Sequence, residues 1–163
     1  MATTGSMSAG ALSDAIEYRP MERMDVSLLA PLMKAYLEES CPDIVPNDVN
    51  AMTLLSTAAS ASFAALENKP DGRVIGFTLL SPITNLQTTV KILHSVGTYV
   101  LPEFRRRGVG ERLRRLAAYM AREAGYDKLQ GVAYSAKAAA SAGKIGARAV
   151  AIVLENQLQV KGE

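Results

Sequence analysis

Tyr99-Val100-Leu101-Pro102-Glu103-Phe104-Arg105-Arg106-Arg107-Gly108-Val109-Gly110 is the stretch on which the reading of this chain turns. Ahead of it, Val90–Leu101 reads as a long strand. Behind it, Gly108–Ala124 sets Leu113, Leu116, Ala117, Met120, Ala121 and Ala124 on one stripe, the spacing of an amphipathic helix. Gly125 is a natural stop for that helix. A strand, a short glycine-containing loop and a helix in succession make a cradle for an anion. The helix N-terminus offers backbone N–H donors and positive potential. Glycines let the amides curl inward and leave room for phosphate oxygens. Arginines add charge-assisted hydrogen bonds. The spacing is neither a Walker loop, which needs Gly-Lys-Ser/Thr, nor Gly-x-Gly-x-x-Gly placed directly after a strand. Charge alone has a plainer reading, a solvated helix face beside a turn.

Outward from this segment the chain alternates strands and helices. Ile16–Met21 alternates apolar and polar residues and predicts a first strand. Asp25 predicts an N-cap, followed by Leu28, Leu29, Leu32, Met33, Tyr36 and Leu37 at helical spacing. Cys41-Pro42 and Pro46 break that helix. Asn47 or Asp48 then caps a second, with Met52, Leu55 and Ala59 on one face. Ser62–Glu67 reads as a strand, Lys69–Gly72 as a turn, and Val74–Leu80 as a buried strand ended by Pro82. Asn85–Thr89 is a polar hairpin tip. Gly97 inside the long strand predicts a bulge or a close backbone approach. Lys128–Tyr134 is a further strand, Ser135–Ile145 an Ala-rich helix ended by Gly146, and Ala149–Val160 a closing strand. The order β-α-α-β-β-β-α-β-α-β predicts an α/β (α+β) domain: a mixed, mostly antiparallel sheet flanked by helices.

The 163 residues suit one domain, read as residues 15–163 behind a flexible segment, residues 1–14. The segment lacks the basic and apolar regions of a signal peptide. No stretch approaches the roughly 20 apolar residues of a membrane span, so a soluble protein in the reducing cytoplasm is the default. One cysteine, Cys41, and one histidine, His94, exclude an internal disulfide and a His/Cys metal cluster. The net charge of +2 supports no global polyelectrolyte behaviour. The arginines nevertheless crowd between Arg105 and Arg122.

The stretch resembles motif A of the GNAT N-acetyltransferase superfamily, whose core is Arg/Gln-x-x-Gly-x-Gly/Ala after a strand ending in Val-x-Pro. Arg105, Gly108 and Gly110 match the three slots. Gly125-Tyr126 before a strand also fits, and residues from about Ile16 to Leu158 follow the family's element order. The resemblance implies a GNAT fold and acetyl-CoA, or a close acyl-CoA, as donor, with no metal. It implies that the backbone of Tyr99, Val100 and Leu101 pairs with the pantetheine arm. Arg105, Arg106, Arg107, Gly108, Val109 and Gly110 then hold the pyrophosphate. The strands around Val100 and Val132 splay to admit the thioester. Ser135 lies where many relatives place an Asn that touches the cofactor.

Catalysis is less legible. An amine near pKa 10.4 must lose a proton before it attacks, and the thioester oxygen needs a donor, by resemblance a strand amide near Val100 or Leu101. In one histone-modifying branch of the family the base lies eleven residues before the first motif residue, a place held here by His94. An imidazole is a reasonable base near neutral pH, although a lone strand histidine is also an ordinary structural residue. Relatives often end the last helix in Tyr-Glu-Lys-Leu-Gly-Phe; this chain has Ala142-Gly143-Lys144-Ile145-Gly146-Ala147, so the tyrosine slot is empty. Tyr99 and Tyr134 are substitutes or packing residues. Glu38, Glu39 and Asp43 read as a solvated helix end or as a wall favouring a cationic acceptor. Met21, Met24 and Met33 read as core filler.

The leading expectation is therefore transfer of acetyl to a primary amine by direct attack in a ternary complex, the amine belonging to a small molecule or a protein. A homodimer is compatible with the sequence. Two alternatives stand beside it: a CoA-binding module without chemistry, and a basic nucleic-acid-binding protein. The latter is weakened by Glu111 and Glu123 among the arginines and by an aromatic content of 6%.

Overall fold

The unbroken buried run Val74–Leu80 belongs to the middle strand of a five-stranded sheet. The computed structural model describes residues 15–22, 25–40, 49, 52–53, 55, 61–68, 72–84, 89–132, 136–143 and 146. The sheet runs in the order β1 (Ile16–Pro20), β2 (Phe63–Glu67), β3 (Val74–Thr84), β4 (Lys91–Val100), β5 (Lys128–Gly131). Neighbours are antiparallel except β4 and β5, which are parallel. A parallel pair needs a crossover, and α2 (Val109–Glu123) supplies it. The other helices are α1 (Asp25–Ser40) and α3 (Ala136–Gly143). The fold is the mixed, mostly antiparallel α/β architecture that the sequence predicts.

Helices cover both sheet faces. Leu29, Met33 and Tyr36 of α1 pack with Phe77, Leu79 and Tyr99. On the other face, Val109 and Leu113 of α2 meet Ile75, Val100 and Phe104, while Ala117 and Ala121 meet Leu80 and Leu93. Leu113 is fully buried, worth roughly 2 kcal/mol in area removed from water. The sequence stripe is thus the packed face of α2, except that Ala124 is exposed. The helix ends as expected. Gly125 is left-handed, its N–H donates to the Arg122 carbonyl at 3.1 Å, and Tyr126 N–H donates to that of Ala121 at 2.9 Å. That pairing is a Schellman stop.

Three expectations change. Asp25 is the first residue of α1 rather than a cap ahead of it. Its carboxylate turns back to accept Glu22 N–H at 2.7 Å and both Arg19 guanidinium nitrogens at 2.7 Å. Pro82 does not end β3, which continues to Thr84 with Pro82 opposite Leu93. The described pairing of β2 stops at Phe63 opposite Thr78, so Pro82 lacks a ladder partner on that side among the described residues, and an edge position tolerates its missing N–H. The Ser62 hydroxyl takes up the next donor, Leu80 N–H, at 2.9 Å. Third, the long strand is shorter at each end than Val90–Leu101.

Of the second helix, residues 49, 52, 53 and 55 are helical, and Leu55 is fully buried in the α1-side core. Its expected caps, the flexible segment at residues 1–14, Cys41, the tip at 85–88 and the closing strand 149–160 lie outside the described residues. No described helix is long and apolar enough to cross a membrane.

The Asp25 carboxyl is held below the usual carboxylate range, first by its hydrogen bonds from Arg19. A folded pKa below the unfolded value of about 3.9 contributes stability above that pH, lost as pH falls through the folded value. Thermal melts from pH 7 to pH 3 should therefore show an acid-limb loss that Asp25→Asn removes. At pH 7 the variant should be less stable by roughly 3 kcal/mol, since Arg19 loses its partner.

Candidate functional site

β4 keeps β3 as a neighbour along its whole length but keeps β5 for only part of it. The β4–β5 register runs from Ile92 opposite Lys128 to Ser95 opposite Gly131 and stops. On the β3 side, Leu79 opposes Gly97 and Leu80 opposes Ser95, which leaves Val96 as the extra residue of a bulge. A bulge sharpens twist and ends pairing, and here the β5 ladder ends beside it. The predicted bulge is present, one residue before Gly97, and what approaches Gly97 closely is the Tyr36 ring rather than a backbone. A Cβ on Gly97 would lie 2.5 Å from the Tyr36 ring, and the Tyr36 hydroxyl donates to the Val96 carbonyl at 3.1 Å. Tyr36, Phe77 and Tyr99 form an aromatic cluster with centroids 6.0 to 6.3 Å apart.

Beyond the bulge, β4 has no ladder partner on its β5 side among the described residues. Leu101 N–H donates to the Ile75 carbonyl at 2.9 Å. Opposed residues of an antiparallel pair alternate between hydrogen-bonded and non-hydrogen-bonded. Tyr99 and Leu101 therefore face β3, while Thr98 and Val100 turn their N–H and C=O groups toward the gap left by β5. Of the two candidate amide donors, the Leu101 amide is committed to the sheet and the Val100 amide is not. The Thr98 amide, which sequence reasoning passed over, faces the same gap. Only the register and the bulge reveal it.

The chain leaves β4 through a short 3-10 turn, Pro102–Phe104, and enters the arginine loop. Arg106 has φ 63° and Gly108 φ 80°, both left-handed. Among the described residues, the backbone amides of Arg106, Arg107, Gly108, Val109 and Gly110 have no hydrogen-bond acceptor. These successive donors sit at the N-terminus of α2, whose first turn also leaves its N–H groups unsatisfied. A Cβ on Gly108 would meet nothing within 4 Å, so the space beside the loop is open. A Cβ on Gly110 would stand 3.7 Å from an Arg114 guanidinium nitrogen, placing a cation beside the cradle. Donors and charge both fit a pyrophosphate.

The arginine side chains divide. Arg105 donates from Nε to the Val100 carbonyl at 2.8 Å and from its two terminal nitrogens to Glu39 at 2.9 and 2.5 Å. Its guanidinium lies 5.2 Å from the Tyr99 ring centroid. The Glu39 hydrogen bonds raise its pKa further. Glu39 is thus an exposed residue at the end of α1 that is paired with Arg105 rather than standing as a free acidic wall. Arg107 lies 5.1 Å from the centroid of Phe104. Arg115 pairs with Glu111 at 2.8 Å, one helical turn away. Arg106, Arg112 and Arg122 are exposed.

His94 opposes Ser81 on one side and Gln130 on the other. Leu93 packs on the α2 side, so alternation puts His94 on the α1 face. The gap opens immediately past Ser95, one residue beyond it. Among the described residues no hydrogen bond or ion pair holds its ring. Tyr99 is buried, which raises its phenol pKa, and it packs as one member of the aromatic cluster. Ala142 is half-buried on α3 with no hydroxyl to offer. Ser135 and Tyr134 lie outside the described residues. No three His, Cys, Asp or Glu side chains converge among the described residues.

The profile of the "Acetyltransferase (GNAT) family" matches residues 27–144. No curated protein matches the chain. Solved structures are similar at the level of fold. A ribosomal-protein-alanine N-acetyltransferase from Brucella melitensis biovar Abortus 2308 is 22% identical, with TM-score 0.68 over 89% of this chain and 100% of that one. A predicted acetyltransferase with acetyl-CoA from Clostridium acetobutylicum is 19% identical, with TM-score 0.70 over 87% and 96%. An aminoglycoside N-acetyltransferase in complex with CoA is 19% identical, with TM-score 0.67 over 88% and 95%.

A Cβ at Gly97 has no room beside the Tyr36 ring, so Gly97→Ala should cost about 2 kcal/mol, the order of overpacking a filled core. Chemical denaturation measures it; an unchanged midpoint would show that the ring yields easily.

Proposed function

The chain belongs to the GNAT acetyltransferase family, and from that premise we propose that it transfers acetyl from acetyl-CoA to a primary amine by direct attack within a ternary complex. The observation that carries this reading is the coincidence of two open donor sets on one strand–loop–helix unit. Among the described residues, the amides of Arg106–Gly110 lack acceptors at the start of α2, and Thr98 and Val100 face the side of β4 that β5 does not pair. The first set suits a pyrophosphate. The second suits an extended arm that pairs as a strand would.

Bound acetyl-CoA supplies the thioester and a thiolate leaving group of modest basicity. The protein's part is positioning and proton handling. Val100 N–H and the Thr98 groups hold the arm in register. The Thr98 amide lies closer to His94 along β4 than the Val100 amide does, and it suits the charge that develops on the thioester oxygen better than the Leu101 amide, which the Ile75 carbonyl already occupies. His94, beside the apex, takes the proton from the incoming amine. Arg105, through its side chain, organises the loop, and the loop amides bind. Ser135 remains a candidate cofactor contact by resemblance.

Ala142 in the tyrosine slot favours a second reading, a module that binds CoA without turnover. The nucleic-acid alternative is weaker, since Arg105 and Arg115 are already paired with Glu39 and Glu111.

A thermal-shift series with acetyl-CoA, longer acyl-CoAs and CoA tests the premise. Ligand at about 100 times its Kd adds about 2.7 kcal/mol, and no shift with any of them sinks the proposal. Gly108→Glu should abolish the shift, because it puts bulk and negative charge among the amides. Gly108→Ala isolates the strain of the left-handed backbone, about 1 kcal/mol, and should keep most of the binding. In an amine screen following thiol release, His94→Gln should lower kcat by 10²- to 10⁴-fold at neutral pH, the usual range for general-base loss, with acetyl-CoA affinity unchanged. Full activity in that variant would remove His94 as the base. Binding with no turnover across the screen would favour the inactive module.

A further inference from the structure

We infer that Glu39 is a positioning residue for the phosphate loop, acting through Arg105. The inference rests on the CoA reading of that loop. Glu39 stands in the last turn of α1, which contains no basic residue. A helix C-terminus carries partial negative charge and prefers cations, so an acidic side chain there is unfavourable on local grounds. The missing cation comes from outside the helix. Arg105 meets both Glu39 carboxylate oxygens, at 2.9 and 2.5 Å.

The same guanidinium uses its third nitrogen, Nε, to donate to the Val100 carbonyl at 2.8 Å. That carbonyl belongs to the open side of β4. One planar side chain therefore joins the end of α1, the end of β4 and the start of the loop, with the Tyr99 ring 5.2 Å away to fix its plane. Arg105 directly precedes Arg106, whose φ of 63° begins the left-handed turn of amides. Holding Arg105 at two ends sets the direction in which the chain enters that turn. A lysine would keep the charge but lose the fork and the Nε bond. Glu39 also neutralises Arg105, so the pull on a phosphate comes from the loop amides and from Arg114 beside Gly110.

The alternative is a cation held in reserve: if Glu39 merely masks Arg105, removing the carboxylate frees a positive charge next to the cradle and CoA binds more tightly. The two roles predict opposite signs. Calorimetric titration with CoA at low ionic strength separates them. Glu39→Gln should weaken CoA binding about fivefold, the upper range for a partly exposed ion pair. Glu39→Asp, which keeps the charge, should recover most of that loss. Arg105→Lys should weaken binding at least as much, and Glu39→Gln added to Arg105→Lys should cost nothing further. Melting temperatures should stay within a few degrees of wild type, since the pair is partly exposed. Unchanged or tighter CoA binding by Glu39→Gln overturns the inference, as does a loss of affinity matched by a general loss of stability. If the wild-type protein itself does not bind CoA, the reading of the loop fails and the inference fails with it.

Discussion

The Tyr36 ring lies where a side chain on Gly97 would have to be. The bulge at Val96 lies directly beside that glycine, and the bulge gives β4 its two personalities. Up to Ser95 the strand is paired on both sides. Past it, among the described residues, β3 remains and β5 does not. An edge inside a sheet is normally a liability, because unpaired N–H and C=O groups seek partners. Here the open groups are few, lie at the mouth of a gap, and lead directly into a loop of equally unpaired amides. The two donor sets are continuous because nothing separates them but the short turn Pro102–Phe104, pinned by burial of Phe104.

Charge is distributed differently from what the run of arginines suggests. Arg105 and Arg115 are matched to Glu39 and Glu111, and Arg107 lies over Phe104. On the proposed reading, an incoming phosphate would meet mainly backbone, carried by left-handed residues at Arg106 and Gly108. Backbone donors suit this task because they lose little freedom on binding, whereas a long arginine must be ordered first. The Arg105 fork is turned toward Glu39 of α1.

Much of the fold was legible. The stripe on α2, its stop at Gly125, the buried run of β3 and the special status of Gly97 each follow from local spacing or from a backbone shape that only glycine adopts readily. Pro82 misled because its effect depends on whether a strand lies alongside, and β2 ends before reaching it. Asp25 misled because capping statistics describe helix starts in general, and here Arg19 and Glu22 N–H draw the carboxylate backward. In the candidate site, the loop could be singled out from the order of its residues. The open Thr98 groups could not, since which residues face a gap depends on register across two strands.

The sequence by itself carried the unit on which the proposed donor site is built: a strand, a glycine-bearing turn and an amphipathic helix in immediate succession. It determined the empty tyrosine slot at Ala142 as well. Tertiary structure alone decided which amides are free, that Glu39 holds Arg105, and that β5 leaves β4 next to His94. The physical reason is range. Local spacing sets backbone shape within one element, but hydrogen-bond pairing across strands and ion pairs between residues 66 apart exist only after the sheet and its helices have closed on one another.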